Sequence, residues 1–239
     1  MASAATSGSR WCELGNAIFP GGDMRSDTRA YGRGEQIADR YVHLAGLAAA
    51  VVGSVALVAA AAERARALMI VSVAVYGIGL VCMIGASALY NFAAPSRRKE
   101  WFRRLDHAAI FLMIAGTYTP FALVRMGGAW GLGIAGFVWL VAIAGIALKL
   151  LHPHRLEGIS TAVYMALGWV IVVALGPLFA GVPRPAVVLI AIGGLLYSVG
   201  VVFHLWKALP YHNAIWHGFV LGAAGCHWVA VLDGVVRAA

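Results

Sequence analysis

Eight residues of this chain stand where their chemistry calls for an explanation. Ser87 and Asn91 lie four apart near the end of one apolar run and so share a helix face. Asp106 and His107 open the next run and His43 stands near the start of the first. His212, Asn213 and His217 open the last run, with Asn213 and His217 again four apart. Polar or ionisable side chains inside an apolar segment are costly, and their default reading is functional. Imidazole and carboxylate ligate metal ions, a carboxylate orients or deprotonates a water, and a hydroxyl hydrogen-bonds a developing oxyanion. Gathered at one level, these residue types would form a metal or hydrolytic site. Each also has a structural reading. Asp106 in a first helical turn would complement the helix dipole, Ser87 would bond back to its own helix, and His43 and His107 would be interfacial. His152, His154 and His204 read as loop or interface histidines. His227, about 15 Å along the helix from His217, reads as an interhelical hydrogen-bonding residue.

Such chemistry requires elements that bring these positions to one depth. Of 239 residues, 62% are hydrophobic and 12% charged, with a mean hydropathy of +0.83. An ordinary soluble domain carries roughly 45–50% apolar and about 25% charged residues, so that class is excluded. Apolar runs long enough for a crossing of about 20 residues recur at Tyr41–Ala62, Leu68–Asn91, Leu105–Met126, Trp130–Leu151, Ile159–Ala180, Pro185–Trp206 and Tyr211–Val236. They are continuously apolar rather than alternating, which argues against barrel strands. The predicted fold is all-α, a polytopic membrane protein with seven transmembrane helices, each antiparallel to its predecessor. Residues 1–40, rich in Gly, Ser, Asp and Arg and without a signal-peptide core, are expected to form a polar, poorly ordered tail. Residues 41–239 form the membrane domain.

Of the Lys and Arg residues, 13 fall on the side of the N-terminus and 5 on the other. The positive-inside rule therefore places the N-terminus in the cytoplasm and the C-terminus outside. The net charge of +8 then reports orientation and not a nucleic-acid partner; membrane lipids are the expected partners. With this topology the end of the second helix and the starts of the first, third and seventh meet at the cytoplasmic face. Neither Cys82 nor Cys226 has a second thiol at CxxC or CxxxC spacing, so no disulfide framework or thiolate site is indicated and both are expected to pack in the interior. A pore or a proton-coupled transporter is disfavoured, because the polar residues cluster at one face and no charged residue sits at mid-helix.

The segments SALYN (87–91), LDHAAIFLMIAGTYTPFAL (105–123) and PYHNAIWHGFVLGAAGCHW (210–228) closely resemble the haemolysin III family of bacterial membrane proteins. These are relatives of the progestin and adiponectin receptors and, more remotely, of the alkaline ceramidases. The resemblance runs from about Glu35 to the C-terminus and implies seven helices, a cytoplasmic N-terminus and residence in the bacterial inner membrane. It also implies a zinc ion near the cytoplasmic face, held by one histidine of helix two and two of helix seven, with a Ser and an Asp beside the zinc-bound water. Carried onto this chain, the Ser is Ser87, the Asp is Asp106 and one ligand is His217. The other two ligand positions hold Asn91 and Asn213. His212, the neighbour of Asn213, is a further candidate metal ligand that would partly replace the missing histidine, although it is displaced by about 100° around an ideal helix unless the first turn is rewound. An upstream Glu-x-x-Asn pattern appears here as Glu35-Gln36-Ile37-Ala38-Asp39, followed by His43. Amide oxygens are weak zinc donors, so a degenerate zinc site is expected, in a lipid-sensing or regulatory protein. The alternative implied by the resemblance is a zinc-dependent lipid amide hydrolase with Asp106 and Ser87 as catalytic residues. Pore-forming haemolysis ranks third.

Overall fold

The computed structural model of the protein describes residues 32–152 and 159–238. Most of the expected tail, with Cys12, lies outside the described residues, as do His154 and Arg155. Seven helices are long and apolar enough to cross a membrane: α1 (Arg33–Ala62), α2 (Ala67–Phe92), α3 (Arg97–Met126), α4 (Gly128–Leu151), α5 (Ser160–Gly181), α6 (Arg184–Leu205) and α7 (His212–Arg237). Among the described residues there is no β-strand. The chain is an all-helical, seven-span integral membrane protein.

Two helices begin earlier than their apolar runs. α1 is already helical at Arg33, inside the expected tail. The Glu35 carboxylate accepts the N–H of Gly32 at 2.7 Å, which stabilises this first turn. Its other oxygen accepts the N–H of Tyr211 at 2.6 Å, tying the start of α1 to the start of α7. α3 begins at Arg97, where Ser96 caps the Lys99 N–H at 3.3 Å. Asp106 therefore lies more than two turns inside the helix, where the terminal dipole no longer reaches, and a first-turn role for it is withdrawn.

In lipid, helices gain little hydrophobic free energy from touching one another; close backbone approach and internal hydrogen bonds hold them together. A Cβ on Gly79 of α2 would stand 3.3 Å from the Leu112 carbonyl oxygen, and one on Gly116 of α3 would stand 3.2 Å from that of Val75. These glycines let the helices bearing Ser87 and Asp106 pack backbone to backbone. Between α1 and α7 a Cβ on Gly46 would meet Leu221 Cδ2 at 2.5 Å. Gly46 and Leu221 are each one turn beyond His43 and His217, so this approach sets the separation of the two histidines.

α5 is interrupted by a 3-10 stretch, Trp169–Ala174. The backbone groups freed by the break cannot be left bare at membrane depth. The Tyr118 hydroxyl of α3 accepts the Ile171 N–H at 2.8 Å and donates to the Gly168 carbonyl at 2.8 Å. At the α4–α5 turn the buried Lys149 ammonium donates to the Ser160 hydroxyl. Large apolar side chains such as Val52, Leu140 and Val173 are exposed on the outside of the bundle, as lipid-facing residues are. Cys82 belongs to this outer surface and not to the interior expected for it: it is exposed, because its helix face is turned away from the neighbouring helices.

Candidate polar centre

Glu35, Asp39 and His43 follow one another at four-residue spacing and so lie along one face of α1. That face is buried: Asp39 is 4% and His43 3% exposed, so both side chains are turned into the bundle. The His43 Nδ1 stands 2.8 Å from the Asp39 backbone oxygen, and its Nε2 stands 3.2 Å from Ser87 Oγ of α2. From α7, His217 Nδ1 approaches the Asp39 carboxylate at 2.6 Å, and its Nε2 lies 3.4 Å from the same Ser87 Oγ. The two imidazole rings are 4.2 Å apart between centroids, edge to face. Asn91 donates its amide to the Ser87 carbonyl at 2.9 Å and stands 3.4 Å from Ser87 Oγ. Asp106 of α3 lines the same cavity as Ser87. Three helices, α1, α2 and α7, thus meet at one serine oxygen.

His43, Ser87, Asn91 and His217 form part of the wall of a cavity of about 610 Å³ between the helices, lined largely by apolar side chains, among them Ile110, Met113, Ile190 and Val220. Of the residues singled out from the sequence, His43, Ser87, Asn91 and His217 are in direct contact with one another or with shared partners. Asp106, His107, His212 and Asn213 line the same cavity. So does His204, which is therefore not a loop histidine; its ring lies 5.1 Å from that of Trp216. His227 donates from Nε2 to the Ile190 carbonyl at 3.2 Å, a bond between α6 and α7. His152 is exposed at the end of α4. The residue missed from sequence is Asp39, which had been placed in the polar tail. The four-residue stripe Glu35, Asp39, His43 was the signal that could have found it.

The donor chemistry separates two ligand sets. At the positions implied by the family resemblance stand one imidazole, His217, and the amides of Asn91 and Asn213. Asn91 already spends its N–H on Ser87, and amide oxygens are weak zinc donors. This set is a poor fit for zinc. A second group, Asp39, His43 and His217, can offer one ligand atom each within 4.8 Å of one another, and such a group could hold a metal ion.

Comparison with known proteins agrees with the architecture. A family model described as haemolysin-III related matches residues 35–228. The chain is 36% identical over 203 residues to "Hemolysin-3 homolog" of Bacillus subtilis, covering 85% of this chain and 95% of that protein. It is 36% identical over 205 residues to "Hemolysin-3" of Bacillus cereus, covering 86% and 94%. "Monocyte to macrophage differentiation factor" of Homo sapiens is 27% identical over 171 residues, 68% of this chain and 70% of that protein. No solved structure matches the chain.

Proposed function

This chain belongs to the haemolysin III-related family, within the progestin and adiponectin receptor superfamily, and from that premise we propose that it is a lipid-sensing or regulatory protein of the bacterial plasma membrane. The observation that carries this reading is the cavity: an apolar chamber of about 610 Å³ with His43, Ser87, Asp106 and His217 in its wall. An amphipathic ligand satisfies such a chamber with its chain against the apolar wall and its polar group hydrogen-bonded at the cluster. Replacement of the family's helix-two and first helix-seven ligand histidines by Asn91 and Asn213 supports binding over turnover. The Lys and Arg distribution supports a cytoplasmic N-terminus, which puts the cluster near the cytoplasmic face.

Lipid amide hydrolysis is the second reading, favoured by the placement of Ser87. Its hydroxyl lies between two imidazoles and beside the Asn91 amide, and Asp106 lines the same cavity. In that reaction Ser87 and Asn91 would hydrogen-bond the developing oxyanion, Asp106 would orient the attacking water, and Asp39 would fix the His217 ring. Bound zinc would supply Lewis acidity and a water of lowered pKa.

Native mass spectrometry of the protein released gently from detergent tests the first reading. One retained lipid per chain is expected, displaced when Ile190→Trp fills the cavity; no retained lipid in either protein would count against it. The second reading requires release of fatty acid from a long-chain lipid amide by the wild type, abolished in Ser87→Ala. Retained lipid without release leaves the sensing reading standing alone.

A further inference from the structure

The first two turns of α3 carry Arg97, Arg98, Lys99, Arg103 and Arg104 against a single acid, Glu100. At about 100° per residue these side chains divide between two faces. Arg103 belongs to the inner one, where it lines the cavity with Asp106 and His107. Glu100 is engaged with Arg103, accepting from Nε at 3.1 Å and from Nη2 at 2.6 Å, and Lys99 donates to the Ala93 carbonyl at 3.0 Å. The outer face, an arc of about 120°, holds Arg97, Arg98, Trp101, Arg104 and Leu105 and no acid. Trp101 is 55% exposed and Leu105 41%, so this face looks away from the bundle. Arg97 and Arg98 are exposed and make no ion pair among the described residues. Arg104 is held in place: its guanidinium lies 4.7 Å from the centre of the Trp101 ring, and its Nη1 donates to the Leu150 carbonyl of α4 at 3.2 Å.

The depth of this face follows from the sequence. The apolar run of α3 starts at Leu105, and a tryptophan one turn before such a run sits at headgroup level. The positive-inside rule accounts for the sign of the charge there. It does not call for three arginines on one outward face with a tryptophan stacked among them. Guanidinium groups match the oxygens of a phosphate in fork geometry, and basic clusters beside a membrane helix attract anionic headgroups. We propose that the outer face of α3 binds the headgroup of an anionic phospholipid of the adjacent leaflet, with its phosphate among Arg97, Arg98 and Arg104 and its acyl chains beyond Trp101 along Leu105. The site lies on the opposite side of α3 from the cavity and does not depend on what the cavity holds. Its lipid exchanges with the bilayer, so it is read in a bilayer.

The test uses the full-length protein in phosphatidylcholine vesicles carrying a small fraction of brominated lipid, which quenches tryptophan emission on contact. The emission missing from Trp101→Phe isolates the signal of Trp101. Brominated phosphatidylglycerol should quench that signal with an apparent affinity more than about tenfold above that of brominated phosphatidylcholine, since each arginine near an anionic surface contributes about fivefold. Arg97→Gln combined with Arg98→Gln should lower the preference at least about fivefold. Salt at about 1 M, where the Debye length is about 3 Å, should lower it in the wild type. Arg104→Lys keeps the charge but gives up the stacked fork, and should lower it about two- to fivefold. Arg64→Gln combined with Arg66→Gln removes as much charge at the other end of the bundle and should leave the preference unchanged, as should Ile190→Trp, which fills the cavity. Equal quenching by the two lipids in the wild type would overturn the proposal. So would a preference that persists when Arg97 and Arg98 are both replaced, or one that is lost in Ile190→Trp or in the variant lacking Arg64 and Arg66.

Discussion

Replacing Glu35 by alanine should destabilise the bundle by roughly 2–4 kcal/mol, through two backbone hydrogen bonds made by one buried carboxylate. The first, from Gly32 at 2.7 Å, lies at an exposed helix start where water can take over. Its loss should cost about 0.5–1 kcal/mol. The second, from Tyr211 at 2.6 Å, joins α1 to α7, and a charge-assisted bond of this kind contributes about 1.5–3 kcal/mol. Tyr211 is also held in the left-handed region, at φ 61°, which for a non-glycine residue costs about 1 kcal/mol or more and persists only while something fixes it. Glu35 is that fixing group, one turn before Asp39. The assay is reversible unfolding by SDS in mixed micelles, with the loss measured for Glu35→Ala, Glu35→Gln and Glu35→Ala combined with Tyr211→Gly. Gln keeps one acceptor oxygen and should lose about half as much, and Tyr211→Gly should recover part of the alanine loss by relieving the strained φ. A Glu35→Ala protein within about 0.5 kcal/mol of the wild type, the range of ordinary surface substitutions, would refute the reasoning.

Further outcomes follow from the same physics. Tyr118→Phe should cost about 1–3 kcal/mol, because the Ile171 N–H loses its acceptor at the break in α5; SDS unfolding measures the cost, and faster exchange of the Ile171 amide locates it. Gly46→Val should cost about 1–3 kcal/mol by overpacking Leu221 and should push α1 away from α7. SDS unfolding of the same variant measures that cost, and a loss of less than about 0.5 kcal/mol would refute it. A periplasm-active reporter fused after Ala239 should be active, and a cytoplasm-active one silent; the reverse pattern would invert the orientation.

The seven spans were legible because a bilayer crossing has a hydropathy signature that needs no knowledge of neighbours. The starts of α1 and α3 were not, since their first turns, Arg33–Arg40 and Arg97–Arg104, are polar helix that continues beyond the apolar run. This also decided what could be seen of the polar centre. Ser87 and His217 showed themselves as polar residues in apolar helices. Asp39 sits in the polar first turns of α1 and looked like tail, although its spacing to His43 carried the message. The contact of His43 with His217 could not be read in advance, because it depends on Gly46 meeting Leu221 across two helices far apart in the chain. The cavity is lined in part by Trp169, Ile171 and Val172 from the interruption of α5 at Trp169–Ala174, a backbone event with no apolar periodicity to announce it.

The most direct measurement is titration of the detergent-solubilised protein with a long-chain lipid, read by native mass spectrometry, with Ser87→Ala and Ile190→Trp measured alongside it. One bound lipid per chain, weakened in Ser87→Ala and lost in Ile190→Trp, is the result expected of an apolar chamber whose wall carries one polar cluster. Binding that is absent from the wild type, or equal in all three proteins, would contradict that account.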